Sequence, residues 1–377
     1  MVWLFWFALI FLAYTCVGYP LLLTILSIWR RRPHRQGTVW PTISLIIPAH
    51  NEGQGIAAKI KNSLALAYPS EKRQIIVALD GSHEETANIA RSFTDCGVKF
   101  VEVPERRGKH YAQMVARDVS HGEILVFTDA SVHLEPDALQ KIVSNFADPC
   151  VGCVSSEDLV VTEKNAWMGE RFYVEFEMRL RRLEAESGST VGSSGSFFAA
   201  RREVCKVWHP EQSSDFFLPL HAVAYGMRAV VDRECRGYYT VVHSEKAELH
   251  RKVRTIVHGL DVLFYHRELL NPLRYGFFSW QLASHKLFRW LVPFAAFSLL
   301  LSNVFLGEAG GLYRVSLICQ LALYGIGALA LTAGRLTQFK AFKPFSFFLL
   351  GNAATVMAWI YFLSGEKFVA WQPSRRS

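Results

Sequence analysis

Four stretches without a charged residue limit what this chain can become. Trp3 to Ile28 is the first, and Trp290 to Gly307, Val315 to Gly334 and Pro344 to Gly365 lie near the other end. About 20 apolar residues in a helix cross a hydrocarbon core of about 30 Å, so each run is of spanning length. Trp3–Ile28 has no basic segment before it and no small-residue cleavage site, which favours a retained anchor over a removed signal peptide. The expected organisation is an N-terminal membrane helix (1–29), a globular domain (30–270), an aromatic interfacial segment (271–289), C-terminal membrane helices (290–365) and a basic tail (366–377).

Basic residues supply the orientation. Arg30, Arg31, Arg32 and Arg35 follow the first run directly and nothing basic precedes it. By the positive-inside rule the globular domain is expected in the cytoplasm, at the cell membrane. Lys286 and Arg289, and later Arg335, Lys340 and Lys343, agree with that side. Three C-terminal crossings would leave Lys367, Arg375 and Arg376 outside. Either Tyr275–Trp280 or a later segment is then embedded without a simple crossing, and both readings stay open. The net charge of +8 is accounted for by juxtamembrane residues facing anionic lipid headgroups, so no nucleic-acid partner is called for. Seven cysteines do not make a disulfide framework, and the lone pair Cys150 and Cys153 lacks the further ligands of a zinc site.

Inside the globular part, short apolar runs alternate with helical patterns. Ile43–Ile47, Gln74–Leu79, Val98–Val103 and Glu123–Thr128 read as strands. Helices are expected near Ala57–Leu66, Glu84–Phe93, His110–Val119 and Pro136–Phe146. This rhythm predicts an α/β domain with a parallel sheet and right-handed crossovers. Two strand-like runs, Val151–Ser155 and Leu159–Val161, then precede a charged amphipathic helix from Asn165 to about Glu186 and the small-residue loop SGSTVGSSGS. The second half therefore changes to mixed α+β, with the look of an acceptor side built onto a nucleotide-binding half.

Ligands of open α/β sheets sit outside the carboxyl ends of the strands. His50, Asn51 and Glu52 follow the first strand, Asp80 the second and Asp129 the fourth, while Lys109 begins a helix. Taken singly, each has a plainer reading: Asp80 as a turn acid, Lys109 as a solvated residue, Asp129 and Asp215 as helix caps, His50 as a structural histidine. Arg251, Lys252 and Arg254 equally suit lipid headgroups. Together the acids and bases would line one edge of one sheet, as a nucleotide site requires.

The ordered set SLIIPAHNE, VALDGSHEET, RRGKHYAQ, VFTDASVHLEPDAL, GSSGSFFAARRE, SSDFFLPLHAVAYGMRAVVD and ELHRKVRTI resembles the family 2 glycosyltransferases. More narrowly, it is similar to their membrane-bound members that make bacterial cell-surface polysaccharides. The resemblance runs from about Thr42 to Leu260. It implies a GT-A fold, a nucleotide-diphosphate sugar donor, UDP-linked by preference, and transfer of a hexose-type sugar with inversion. The acceptor is expected to be a glycan or a lipid-linked saccharide, and partner subunits of an export or synthase complex are conceivable. Carried over residue by residue, Pro48, His50 and Glu52 border the nucleoside, and Asp80 contacts base or ribose. Asp129 holds Mg2+ or Mn2+ and Asp215 is the general base. Lys109, Arg251 and Arg254 face the diphosphate, with the two arginines alternatively facing the acceptor.

Two departures qualify this. Ser131 stands where the second acid of the metal-binding D-x-D is expected. The Q-x-x-R-W signature of processive synthases reads Glu248, Leu249, His250, Arg251, Lys252, so a long polymer product is not implied. They also leave room for a catalytically silent subunit that scaffolds a partner synthase. A nicotinamide enzyme is the other rival, through GQGIAA at 53–58. Pro48–Glu52 intervene between its glycines and the strand, which weighs against it.

Overall fold

A computed structural model describes residues 1–161, 168–240, 245–332 and 343–366. Among these residues eight strands form one sheet: β1 (Ile43–Ala49), β2 (Arg73–Asp80), β3 (Val98–Val103), β4 (Ile124–Thr128), β5 (His133–Leu134), β6 (Val151–Val161), β7 (Phe197–Arg201) and β8 (Arg228–Thr240). Their order is β3-β2-β1-β4-β7-β6-β8-β5. The half containing β3, β2, β1 and β4 is wholly parallel. Beyond it β7 runs antiparallel to both β4 and β6, and β8 returns parallel to β6.

The apolar strands are continuous because both faces are covered. On β1, Leu45 and Ile47 pack with Ile56 and Ile60 of the helix Gln54–Leu64, in a cluster that also takes Val77, Leu79 and Val126. The alternate residue Ile46 packs on the other face with Ile76, Phe127 and Ala112 and Ala116 of the helix Lys109–Asp118. The run expected as two strands over 151–161 is one strand, β6, with register irregularities after Val151 and Ser155. β8, interrupted by charged residues, carries no clean alternation and went unread in the sequence.

Among the described residues, four helices are long and apolar enough to cross a membrane: Val2–Trp29, Phe277–Leu306, Gly311–Thr332 and Pro344–Ser364. The segment expected to be interfacial is helical over Pro272–Tyr275, and from Phe277 it runs straight into the second of these helices. The first helix packs on the second through Phe5, Ala8, Leu299 and Leu306. Both contain one wide π-helical turn, Tyr14–Gly18 and Ala283–Leu287. The Tyr14 hydroxyl lies 2.7 Å from that of Ser284 and accepts from the Trp280 indole at 2.8 Å. Arg335, Lys340, Lys367, Arg375 and Arg376 lie outside the described residues.

Charged groups tie the globular domain to the apolar helices. Glu184, on the helix Met168–Ser187, accepts from the Tyr19 hydroxyl and from Nδ1 of His285, each at 2.6 Å. Nε2 of His285 bonds Glu177 at 2.9 Å, and Arg289 donates to the same carboxylate at 2.8 Å. Both nitrogens of the His285 ring thus face carboxylates, at a position with no exposed surface. Burial raises the Glu177 pKa, but Lys286, His285 and Arg289 outweigh it and hold the carboxyl well below its usual range. At the other side, Val253 and Val257 of the helix Glu245–Tyr265 pack on Ala354 and Ala358 of the apolar helix Pro344–Ser364.

Candidate active site

The carboxyl ends of β1, β2 and β4 open onto one cavity of about 930 Å³ that includes Pro48, His50, Glu52 and Asp80 in its lining. Asp80 is buried, and its two oxygens accept the backbone N–H groups of Arg107 (2.7 Å) and Gly108 (2.8 Å). The loop after β3 is thus hung on the end of β2. Gly81 (φ +55°) makes that possible, since a Cβ there would lie 2.6 Å from the Arg106 nitrogen. His50 donates through Nδ1 to the Asp80 carbonyl at 2.5 Å, which locks the ends of β1 and β2 together. His50 therefore has the structural partner that its plainer reading foresees, while still bordering the cavity.

Asp129 follows β4, and its amide donates to the Ser196 carbonyl at 3.0 Å. The next helix, Ala138–Ser144, is entered through Asp137, so Asp129 does not cap it. Its carboxylate meets Nζ of Lys109 at 2.6 Å, and that ammonium also donates to the Gly195 carbonyl at 2.7 Å. Lys109 is an ion-pair partner at a helix start rather than a solvated residue. Behind this pair, Lys59 is fully enclosed and donates to Thr128 Oγ1 (2.9 Å) and the Val132 carbonyl (2.6 Å). Burial pulls its pKa down to about 7, opposed by the Asp129 charge.

Asp215 occupies the first turn of the helix Ser214–Ala224, which has no side-chain cap bond. That turn is set in place from two sides. Ser214 donates its hydroxyl to Gln113 (2.7 Å) and its amide to His110 Nδ1 (3.2 Å) on the helix Lys109–Asp118. The Ser193 amide and hydroxyl both donate to the Asp215 carbonyl at 2.8 Å. The Asp215 carboxylate lies directly against Gly195, where a Cβ would be 2.9 Å from Oδ2. Gly195 thus touches Lys109 through its carbonyl and Asp215 at its α-carbon.

Arg251 and Arg254 line the same cavity from the helix Glu245–Tyr265. Burial brings the Arg254 pKa down to about 10, and the charges of Arg251 and Arg106 push the same way. Arg106 holds Nε and Nη2 buried without a hydrogen-bond partner among the described residues. Three guanidinium groups gathered in this manner suit an anion that brings several acceptor oxygens. From there the cavity continues to Tyr19, Lys286, Phe347 and Thr355 on three of the apolar helices.

Divalent-cation chemistry can be tested on the donor set. Among the described residues no three His, Cys, Asp or Glu side chains are grouped as a self-sufficient metal site. Asp129, one-third exposed, and the neighbouring Ser131 both border the cavity. Mg2+ takes one or two carboxylates, several waters and substrate phosphates, so this set fits a cation shared with a diphosphate and does not fit an all-protein cage.

Four residues escaped the sequence reading: Asp158, Lys59, Arg106 and Gly195. Asp158 sits inside β6, accepts from the hydroxyls of Ser194 and Ser196, and lines the cavity. Burial raises its pKa, the two serines and Arg181 oppose, and Asp129 adds to the rise. An acid in mid-strand carries no turn signal, and only the Gly/Ser loop pointed toward this place.

Residues 44–208 match the family model "Glycosyl transferase family 2". Among curated proteins the chain is 25% identical over 170 residues to an N-acetylglucosaminyltransferase of Rhizobium sp. (strain N33), covering 44% of this chain and 38% of that one. It is 30% identical over 140 residues to an N-acetylglucosaminyltransferase of Rhizobium meliloti (strain 1021), covering 36% and 33%. The matched parts thus amount to less than half of either relative's length. Among solved structures, a mannosyltransferase from Pyrobaculum calidifontis, in complex with GDP-Man and Mn2+, superposes over 97% of this chain and 100% of its own, with a TM-score of 0.72 at 23% identity. That likeness is one of fold, and it extends over the apolar helices as well as the sheet. Residues 44–208 thus carry the likeness to the family 2 glycosyltransferases, and the sheet and the apolar helices carry a likeness of fold to the mannosyltransferase.

Proposed function

We propose that the protein is an inverting glycosyltransferase that moves a hexose-type sugar from a nucleoside-diphosphate donor to a hydroxyl of a membrane-associated glycan or lipid-linked acceptor. The observation that carries this reading is the meeting of Asp80, Asp129, Lys109, Asp215 and Arg254 in one cavity that continues to the apolar helices. The nucleoside lies at the edge bordered by Pro48, His50, Glu52 and Asp80. Its diphosphate lies against Lys109, with Arg251 and Arg254 closing on it from the other side. Asp129 and Ser131 are the residues that would hold Mg2+ or Mn2+, which when bound neutralises charge on the diphosphate.

Asp215 takes the proton of the acceptor hydroxyl as its oxygen bonds C1 of the sugar. The bond from C1 to the diphosphate oxygen breaks, and the electron pair departs with the nucleoside diphosphate. Lys109, Arg251 and Arg254 stabilise the charge that develops there, an effect enlarged by the partly desolvated site. The Gly195 contact keeps the base within a short reach of the diphosphate side. The reading includes a cytoplasmic face for this domain, with the donor pool; Arg30, Arg31, Arg32 and Arg35, just past the first apolar helix, support it through the positive-inside rule.

The test is thermal stability of the detergent-purified chain against a panel of nucleotide sugars, with and without Mn2+. A ligand at about a hundredfold excess over Kd adds about 2.7 kcal/mol to apparent stability, a readable shift. A metal-dependent shift with one sugar nucleotide supports the reading and names the donor. A folded sample that responds to none of them favours the silent scaffold, for which Ser131 and Glu248 speak.

A further inference from the structure

We propose that Asp158 and Arg181 form a subsite that reads a hydroxyl of the donor's sugar, a role that rests on the transferase reading above. Asp158 receives the hydroxyls of Ser194 and Ser196 on the same oxygen, Oδ1. Its Oδ2 makes no hydrogen bond among the described residues. Arg181 comes from the helix Met168–Ser187, and its charge reaches Asp158. Its Nε is buried with no hydrogen-bond partner among the described residues, and Nη2 stands 3.6 Å from Glu177, too long for a strong bond. Asp158 and Arg181 both line the cavity, each with side-chain hydrogen-bonding capacity to spare, and the Arg181 charge acts on the Asp158 carboxyl.

That pair is complementary to a hydroxyl, which donates one proton and accepts through its lone pairs. Neither a diphosphate, which only accepts, nor an aliphatic chain matches it. The position selects the transferred sugar rather than the nucleoside. Ser194 and Ser196 flank Gly195, the residue that touches Lys109 on one side and Asp215 on the other. A sugar joined to a diphosphate at Lys109, with its C1 open to a hydroxyl at Asp215, must lie over this loop. Asp158 supports the loop and borders the same space, and the Asp129 charge is felt there as well.

The experiment compares binding of a sugar nucleotide with binding of its own nucleoside diphosphate to the full-length protein in detergent with Mn2+. The probes are UDP-GlcNAc against UDP, and GDP-mannose against GDP, whichever pair the wild type binds. Asp158→Ala and Arg181→Ala are expected to weaken the sugar nucleotide about tenfold, the scale of a lost hydrogen bond to a charged group, and to change the nucleoside diphosphate less than twofold. Asp158→Asn, which keeps the side chain's shape, should give the same selective loss with an unchanged melting temperature of the free protein. Equal weakening of both ligands would instead make Asp158 a support for the loop and the diphosphate, and no change in either would remove it from the site. Both outcomes overturn the proposal. A wild type that binds no nucleotide at all overturns the transferase reading first, and this one falls with it.

Discussion

The two halves of the sheet bring residues to the candidate site by different rules. In the parallel half, β3-β2-β1-β4, the groups stand at the carboxyl ends of strands: His50 after β1, Asp80 at the end of β2, Asp129 after β4. In the mixed half they come from the middle of a strand (Asp158), from a glycine without a side chain (Gly195) and from a helix's first turn (Asp215). The parallel half positions by strand geometry, so its backbone and its site are one construction. The mixed half positions by packing of distant segments, so the rate of transfer should be separable from donor binding there.

The sharpest test of that separation is Asp215→Asn. Loss of a general base typically costs about 10²–10⁴ in rate, and the transfer rate should fall by that range while donor affinity stays within about twofold. Loss of donor binding instead would end its assignment as base. Gly195→Ala comes next. A methyl group 2.9 Å from the Asp215 carboxylate must displace it, and a misplacement of about 1 Å can cost up to about 10²-fold. An unchanged rate would mean that Asp215 does not act from where it lies.

In the parallel half, Asp80→Ala should lower stability and donor binding together. It strands the Arg107 and Gly108 amides at a cost of about 1–3 kcal/mol, visible as a lower melting temperature. A normal melting temperature with normal donor binding would contradict the idea that strand end and site are one construction. The smallest effect belongs to the exposed pair Arg91 and Glu102 at 2.5 Å. Its removal should change stability by less than about 0.5 kcal/mol and leave transfer untouched, which makes it the control for the series.

What was legible in the sequence follows the same division. β1 to β4 announce themselves as apolar runs bounded by turn residues, and the end-of-strand rule then points to Asp80 and Asp129 without further help. Lys109 and Asp215 were legible as members of motifs, but the partners that hold them were not. Lys59 looks like the polar face of an amphipathic helix; only the closure of Thr128 and Val132 over it reveals a buried ammonium. β8 hid behind Arg228, Asp232 and Arg233, whose charges break the alternation that marks a strand. Arg106 was one of three adjacent charges in ERRGK, and nothing local distinguishes the one that turns inward.

The bonds of Tyr19 and His285 to Glu184 also constrain how the protein is made. Tyr19 leaves the ribosome first, Glu184 follows with the globular domain, and His285 arrives only with the second apolar helix. A newly folded domain must therefore wait, its two buried acids short of these partners, until that later helix has been made and has packed beside it. Chains halted before residue 285 should accordingly behave as incomplete substrates for quality control rather than as anchored, finished domains.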